Sequence, residues 1–493
     1  MNTFPELLFG QNSACFSARD ESNWKSDCAS VSSFPRPGLL LLLLVLCTSV
    51  IHLFTLGRSP TVWIDEVMIL DYGRVLINPN TDWAVTTVNG HPARPLSPLY
   101  CVAEWSWVSL LGYTPDVSRT FAMVWAGTAT LAFFWLLKDL KVNEINALWI
   151  AFAFFCDVVL TGSFRGARGD SCALAFVFLA CLLWYQGISN MDMKKSFLSG
   201  IFAALAFLSW PTAFVTLTLM VGLYLRELAI SKNSKPLYVF SCVTGLLTVL
   251  IVWLIIYKES NLLGNIFMPS GVREASPASF SVRKVVNTVI GCYRYTPWVV
   301  FWTVLAVLIS VLTKRGYWLL ITFIGAIAIA CSVPPFYRWR LIYLTPFLYL
   351  LIADGFGNKV KAWHLALALA IPSFAVSVAG RAVTAVIEWE GRDHERWVRD
   401  LREIVPDGST VLMDGYTPYY AGLRAGWKMH MEKDVLKESA EDVFVVCERD
   451  DSFGTQREGW IYLRHISTNG VRIRDAWRSH YEATIWLRRA KKR

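Results

Sequence analysis

Apolar runs of about membrane-spanning length recur along most of this chain. The first, at residues 38–56, contains no Asp, Glu, Lys or Arg, and about 20 apolar residues are enough for a helix to cross a bilayer. Comparable runs along the chain predict about eleven spans in all. They lie near residues 38–56, 119–137, 144–161, 170–187, 196–210, 211–227, 236–257, 297–313, 316–332, 340–354 and 361–379. The pattern therefore predicts a polytopic α-helical membrane protein.

The composition agrees with this class and argues against others. Of the 493 residues, 54% are hydrophobic and 22 are Trp, a residue that favours membrane interfaces. The net charge of +9 is spread over loops and the C-terminal tail, so nucleic-acid binding, which needs a concentrated basic surface, is not expected. The 11 Cys show no paired spacing, which argues against a zinc site or a disulfide framework.

Charge and hydropathy divide the chain into segments. We expect a cytoplasmic tail at residues 1–37, a membrane domain at 38–379 with a first outer loop at 57–118, and a small extracytoplasmic α/β domain at 380–493. The loops that this topology places inside are rich in Lys, as the positive-inside rule requires. The outer loops are rich in Arg, which binds phosphate through two parallel hydrogen bonds. The outer face is thus expected to hold an anion, although Arg also anchors helix ends by snorkelling.

Two strand-like runs, Ser409–Met413 and Asp442–Cys447, indicate the α/β character of the C-terminal segment. A helix-like segment, His394–Val405, precedes the first of them. The stretch 96–111 carries Glu104 and is expected to form a helix that lies at the membrane interface or is partly inserted.

Asp65 and Glu66 are adjacent acids directly after the first span. Carboxylates close to lipid are costly and usually have a function. A carboxylate at this position could act as general base toward an acceptor hydroxyl or amine, with its neighbour tuning it. The alternative is an ordinary solvated loop acid or a helix cap.

A proline-rich turn and an Arg-Gly motif follow on the same outer face. The turn, residues 91–100, contains His91 and Arg94, and its rigid backbone could present both to a phosphate. The motif contains Arg165 and Arg168 among glycines, which allow close approach of an anion. In both cases the charges could instead be incidental.

Three residues complete the outer-face set. Asp170 directly follows the Arg-Gly motif and would either orient an arginine or simply cap the next helix. Arg340 and Tyr343 belong to an aromatic and Arg-containing stretch at residues 334–346. That stretch suits a polyprenyl phosphate, with rings against the chain and guanidinium on the phosphate, or plain interfacial anchoring.

The order of these motifs resembles that of the GT-C superfamily of membrane glycosyltransferases. The similarity is to the branch that contains the dolichyl-phosphate-mannose protein mannosyltransferases, the lipid A aminoarabinose transferase and related bacterial enzymes. It covers roughly residues 40–380, whereas the C-terminal segment corresponds only in position and style. The matching positions are Asp65, Glu66, His91, Pro92, Pro95, Leu96, Pro98, Leu99, Tyr100, Gly112, Arg119, Arg165, Arg168, Asp170, Arg340, Tyr343 and Pro346. The His-Pro turn is longer here than in the family pattern.

The resemblance implies an enzyme of the inner cell membrane that transfers a sugar on the outer face. The donor would be a sugar linked to polyprenyl phosphate, the acceptor a lipid, glycan or protein, and the anomeric carbon would be inverted. No metal or other cofactor is predicted. Asp65 would be the general base and Glu66 its catalytic support. The donor phosphate would be bound by Arg94, Arg165, Arg168 and Arg340, with supporting roles for His91, Asp170 and Tyr343.

Two other functions remain open at the level of sequence. A polytopic transporter or lipid flippase would favour charges inside the spans and a repeat across two halves, whereas nearly all charges here lie in loops and no internal repeat is evident. A non-catalytic membrane protein whose outer domain binds a partner is the second alternative. Loss of sugar transfer on replacing Asp65 would separate an enzyme from both.

Overall fold

The computed structural model describes residues 36–58, 61–78, 87–88, 91–92, 97–231, 235–256, 282–313, 316–332, 338–431, 441–448, 459–471, 473 and 480–490. Most of this part of the chain is helical. The helices are α1 (Pro37–Leu53), α2 (Ile64–Ile77), α3 (Pro98–Leu111), α4 (Pro115–Asp139), α5 (Glu144–Phe155), α6 (Val158–Phe164), α7 (Asp170–Ser189), α8 (Met193–Ser209), α9 (Phe214–Ser231), α10 (Pro236–Ile256), α11 (Val282–Tyr293), α12 (Pro297–Thr313), α13 (Tyr317–Ser332), α14 (Arg338–Leu341), α15 (Thr345–Phe356), α16 (Ala362–Ile387), α17 (His394–Ile404) and α18 (Tyr419–Ala425).

Several of these helices are long and apolar enough to cross a membrane. Within the described residues there are 5 such helices, or 6 if α5 and α6, bent by 53° at their junction, form one span. The five are α4, α7, α10, α16 and the segment Pro211–Ser231 that ends in α9; α1, α12, α13 and α15 are apolar but shorter. A multi-pass membrane protein is thereby confirmed, and the count of eleven spans stays a prediction.

A buried carboxylate divides one of the predicted spans. The run 144–161 was expected to be continuous, but α5 ends at Phe155 and α6 begins at Val158. Between them Asp157 accepts hydrogen bonds from the backbone N–H groups of Val159 and Leu160. This side chain is the N-cap of α6 and so starts a second helix in a new direction.

Residues 57–118, predicted as the first outer loop and called here the first outer segment, contain the helices α2 and α3. α3 matches the helix expected at residues 96–111, whereas α2 was not predicted. Asp65 and Glu66 lie in the first turn of α2, where the positive end of the helix dipole favours carboxylates. α2 packs closely on α3, because a Cβ added to Gly73 would lie 2.1 Å from the carbonyl oxygen of Cys101. A glycine is therefore required for the two helices to approach this closely.

Residues after α16 form a five-stranded mixed sheet flanked by α17 and α18. Its strands are β3 (Thr410–Asp414), β4 (Lys428–His430), β5 (Val443–Cys447), β6 (Ile461–Ser467) and β7 (Glu482–Arg488); the short strands β1 (Thr87–Val88) and β2 (His91–Pro92) pair separately in the first outer segment. The order in the sheet is β4-β3-β5-β7-β6. β3 is parallel to β4 and β5, and β7 is antiparallel to β5 and β6. The helix and both strands expected from the sequence are α17, β3 and β5.

The first outer segment and the C-terminal segment share one hydrophobic core. Val67 and Leu70 of α2 and Val108 of α3 are fully buried in the same cluster as Trp397 and Leu401 of α17. Apolar burial of this kind stabilises an interface by about 25 cal/mol per Å². The two segments are therefore packed together and lie on the same side of the helical bundle.

Candidate active site

The two adjacent acids at the start of α2 have opposite environments. The Asp65 side chain is 28% exposed and forms an ion pair with Arg168. The Glu66 side chain is 0% exposed; its Oε2 accepts from Arg119 at 3.0 Å and its Oε1 from the Tyr420 hydroxyl at 2.8 Å. Successive helical residues point about 100° apart, which puts one acid at the surface and the other in the interior. Only Asp65 is open to a substrate.

Arg168 links Asp65 to the Arg-Gly motif at residues 165–169. Its guanidinium donates through Nη1 to Asp65 and through Nε to Asp170 at 2.7 Å. It also lies over the ring of Trp210, 5.0 Å from the ring centroid, a favourable cation–π geometry. Burial lowers the pKa of Arg168, but the charges of Asp170 and Asp65 outweigh burial and raise the pKa above its usual value. The guanidinium therefore keeps its charge.

Asp170 fixes this guanidinium from behind. It is the first residue of α7 and has no exposed surface. Its Oδ2 accepts from the Ser163 hydroxyl at 2.9 Å, and its Oδ1 from the Tyr343 hydroxyl at 2.8 Å. Asp65, Arg168, Asp170 and Tyr343 thus form one continuous hydrogen-bonded chain, which we call the outer-face network after the membrane side predicted for its motifs. Its members come from three separate motifs of the sequence.

The turn that carries Arg168 is tightly constrained. Ala167 has a positive φ of 50°, a conformation that is costly for a residue with a Cβ. A Cβ added at Gly169 would lie 3.0 Å from the Tyr100 ring and 3.1 Å from the Ser209 carbonyl oxygen. The Arg-Gly motif therefore has glycine where the neighbouring helices leave no room for a side chain.

Arg165 has different partners from the outer-face network. It is fully buried and donates to the Thr55 carbonyl at 2.8 Å and to His52 Nδ1 at 2.8 Å, both near the end of α1. Burial lowers the pKa of Arg165, and the positive charges of Arg381 and Arg119 lower it further. In the described part of the chain this guanidinium has no carboxylate partner.

The structure describes the other predicted phosphate-site residues, Arg340, His91 and Arg94, only in part. Arg340, at the end of α14, is partly buried and donates to the Ala330 carbonyl at 3.1 Å. The backbone of His91 pairs with that of Val88 in the short β1–β2 ladder. Arg94 lies outside the described residues. Binding of the donor phosphate by Arg340 and Arg94 and the supporting role of His91 stay predictions.

Several buried polar residues close to the site were not singled out for function. Arg119 was noted only as the start of a span, and it is the ion-pair partner of Glu66. Tyr419 and Tyr420 are adjacent in α18, and Tyr419 donates to Asp71 of α2 at 3.0 Å. No sequence motif near either tyrosine indicates its role, because their partners Asp71 and Glu66 lie 348 and 354 residues away in the chain.

Glu104 of α3 is a further buried polar residue close to the site, in addition to Arg119, Tyr419 and Tyr420. Glu104 is fully buried and accepts from the Ser118 hydroxyl. Burial raises the pKa of Glu104 well above its usual value, although the Ser118 hydrogen bond opposes the shift. Over the described ranges no cluster of three or more His, Cys, Asp or Glu side chains has the arrangement needed to hold a metal ion.

The chain is similar to known proteins in structure, but comparison of its sequence finds no match. No protein-family model matches the chain, and no curated protein sequence matches it. Among solved structures it is similar to apo ArnT from Cupriavidus metallidurans, with a TM-score of 0.59 and 10% identity over 91% of this chain and 97% of that one. It is also similar to the same protein bound to undecaprenyl phosphate, with a TM-score of 0.57 and 12% identity over 91% and 98% of the two chains.

Proposed function

From the GT-C fold of this chain, we propose that it is an integral-membrane glycosyltransferase. It moves a sugar from a polyprenyl-phosphate-linked donor to a lipid, glycan or protein acceptor at the outer face of the inner membrane. The similarity to ArnT over nearly the whole of both chains supports this proposal, and one of the similar ArnT structures contains undecaprenyl phosphate. The fold alone does not identify the sugar donor or the acceptor, and both are part of the proposal.

The observation that carries the proposal is the geometry of Asp65. It is a partly exposed carboxylate whose side chain is held on a buried guanidinium, while the neighbouring Glu66 is completely enclosed. A general base must reach its substrate and must be held in one orientation. In the outer-face network Arg168 provides the orientation and the surface position of Asp65 provides the access.

In the proposed step, an acceptor hydroxyl or amine attacks the anomeric carbon of the donor sugar. Asp65 takes the acceptor proton as the new bond to the anomeric carbon forms. The bond from that carbon to the phosphate oxygen breaks at the same time, and the polyprenyl phosphate leaves with the bonding electron pair. Attack opposite the leaving group inverts the anomeric configuration.

The negative charge that develops on the leaving phosphate requires a cationic partner. Arg168 is next to Asp65 and keeps its charge, so we assign it the main contact with the phosphate, where preorganised charge stabilises the transition state. Asp170 and Tyr343 hold Arg168 through the contacts described above. Arg165, Arg340, Arg94 and His91 remain proposed contributors, and Glu66 supports Asp65 from the interior.

We also propose that the reaction needs no metal ion or other cofactor. The exposed carboxylate of the site is already paired with a guanidinium, which takes the place beside it that a metal ion would occupy. Transfer is expected to be unchanged by EDTA at millimolar concentration. A loss of activity that Mg²⁺ or Mn²⁺ restores would contradict this part of the proposal.

The proposed topology places the N-terminus in the cytoplasm and residues 380–493 outside, after about eleven spans. Contacts between the first outer segment and the C-terminal segment support a common side for both. Arg58 donates to the Trp389 carbonyl at 2.8 Å and pairs with Asp393 at 2.9 Å. Reporter fusions at the C-terminus test the orientation: a periplasmic reporter should be active and a cytoplasmic one silent.

Binding of undecaprenyl phosphate by the purified full-length protein tests the donor assignment. The parent should bind, and Arg168→Ala should weaken binding at least about tenfold because a charge-assisted contact is lost. The matched control is Arg402→Ala, since Arg402 is 37% exposed and pairs with Asp407 on the outer surface. Equal affinity of Arg168→Ala and the parent would contradict the phosphate role.

Product analysis tests the reaction itself. Mass analysis of the lipid, glycan and protein fractions should show one sugar-bearing species that is lost in a deletion strain and restored by the parent gene. Binding of undecaprenyl phosphate without any such species would favour a transporter or lipid flippase instead.

A further inference from the structure

The helix that begins with Asp65 is held by hydroxyl groups from the far end of the chain. Tyr420 donates to Glu66 at 2.8 Å, and Tyr419 donates to Asp71 at 3.0 Å. Both acids belong to α2 and both tyrosines to α18. All four side chains have no exposed surface.

The two contacts together restrict the motion of α2. Glu66 and Asp71 are five residues apart, or about 7.5 Å along the helix axis. Two separated anchor points oppose rotation of the helix as well as tilting, whereas a single contact would leave rotation free. Asp65 is adjacent to one of these anchors, so its direction follows from that of Glu66.

Each anchor is a charge-assisted hydrogen bond in a water-poor environment. Arg119 neutralises Glu66 at 3.0 Å, and Arg74 neutralises Asp71 at 2.7 Å. Because the acids are paired with arginines, both retain strong acceptor oxygens for the tyrosines. Removal of either hydroxyl would leave a buried carboxylate oxygen with one fewer donor.

We propose that Tyr419 and Tyr420 are positioning residues and that the C-terminal segment acts as a clamp on α2. In this role the segment directs Asp65 toward Arg168 and thereby sets the rate of transfer. The consequence for turnover rests on the proposed function, whereas the clamp itself is a property of the structure that can be measured without substrate.

Hydrogen exchange of the full-length protein measures the clamp directly. In Tyr419→Phe and Tyr420→Phe, amides of residues 64–77 should exchange about tenfold faster than in the parent, from the loss of one hydrogen bond to a charged group. Tyr462→Phe is the matched control, because Tyr462 lies in β6 of the same segment and is 53% exposed. Each variant retains one of the two anchors, so the fold should persist. Unchanged exchange in both variants would overturn the clamp.

Steady-state kinetics then test the positioning role. Each variant should lower kcat about tenfold and leave the KM for the lipid donor unchanged, since Arg168 is untouched. Faster exchange of α2 together with a parental kcat would overturn the positioning role. If Asp65→Asn abolishes transfer while exchange and kcat in both tyrosine variants match the parent, the clamp fails and the proposed function stands. If Asp65→Asn retains transfer, the general-base role of Asp65 fails, and the exchange result alone decides the clamp.

Discussion

Removal of either charge of the Arg119–Glu66 pair should destabilise the protein, because the other charge stays buried without its partner. Both side chains of the Arg119–Glu66 pair are 0% exposed, and Arg119 also donates to the Leu56 carbonyl at 2.7 Å. In Arg119→Met, a buried carboxylate is left with Tyr420 as its hydrogen-bond donor. Breaking a buried pair in this way costs about 3–5 kcal/mol, and the unpaired Leu56 carbonyl adds about 1 kcal/mol.

Glu66→Gln should also be destabilising, because the buried Arg119 charge loses its carboxylate even though the amide can still use both neighbours. Its carbonyl oxygen accepts from Arg119, and its NH₂ group donates to the Tyr420 oxygen. In the double variant no unpaired carboxylate remains, so Glu66→Gln should recover about 2–3 kcal/mol of the cost of Arg119→Met.

Thermal unfolding of the detergent-purified protein measures these differences. Arg119→Met should lower Tm by on the order of 10 °C, and the double variant should melt clearly above Arg119→Met. The control is Arg402→Met, which breaks a pair whose side chains are 37% and 63% exposed and should cost less than about 1 kcal/mol. Strictly additive effects of Arg119→Met and Glu66→Gln would refute the reasoning.

Three further predictions concern the pH dependence of stability and the role of the buried Arg165. The hydrogen bond from Arg424 holds the pKa of Glu395 below its usual range, so the stabilisation is present above about pH 4.3 and is lost as the pH falls further. Glu395→Gln should therefore flatten the acid limb of Tm against pH, and an unchanged limb would contradict this. Burial raises the pKa of Glu104, so stability should decline as the pH rises above about 4.3; Glu104→Gln should remove this decline and raise Tm at pH 7, and a lower Tm would contradict it. Arg165→Gln should lower Tm through loss of its contact with Thr55 and also weaken undecaprenyl phosphate affinity, as its proposed contribution to phosphate binding requires; parental affinity would remove Arg165 from the phosphate site.

Local features of the fold and the site could be predicted from the sequence. The apolar runs predict membrane helices because hydrophobic length alone decides whether a helix can cross a bilayer. Arg168 and Asp170 are two residues apart, so their ion pair was accessible from spacing. The strands β3 and β5 were evident because each contains at least three consecutive apolar residues in a short run.

The remaining features depend on contacts between distant parts of the chain. Val67 and Leu70 lie in a stretch interpreted as a polar loop, because the C-terminal segment that covers them is more than 300 residues away in sequence. The same distance hides the difference between Asp65 and Glu66, since only the positions of Arg119 and Tyr420 reveal that Glu66 is enclosed. The break before α6 was not predicted because the run around Asp157 is apolar and long enough for one span. Nothing in the sequence distinguishes an Asp that caps a new helix there from one that is tolerated within a continuous helix.

The role of Asp65 as general base is the central claim, and one measurement tests it most directly. The amount of the sugar-bearing product is determined by mass analysis in a deletion strain that expresses either the parent or Asp65→Asn at equal membrane levels. Asp407→Asn, at a surface acid whose side chain is 63% exposed, serves as the control. We predict product from the parent and from Asp407→Asn, and a loss of at least about a hundredfold in Asp65→Asn. Product at the parental level in Asp65→Asn would contradict the account.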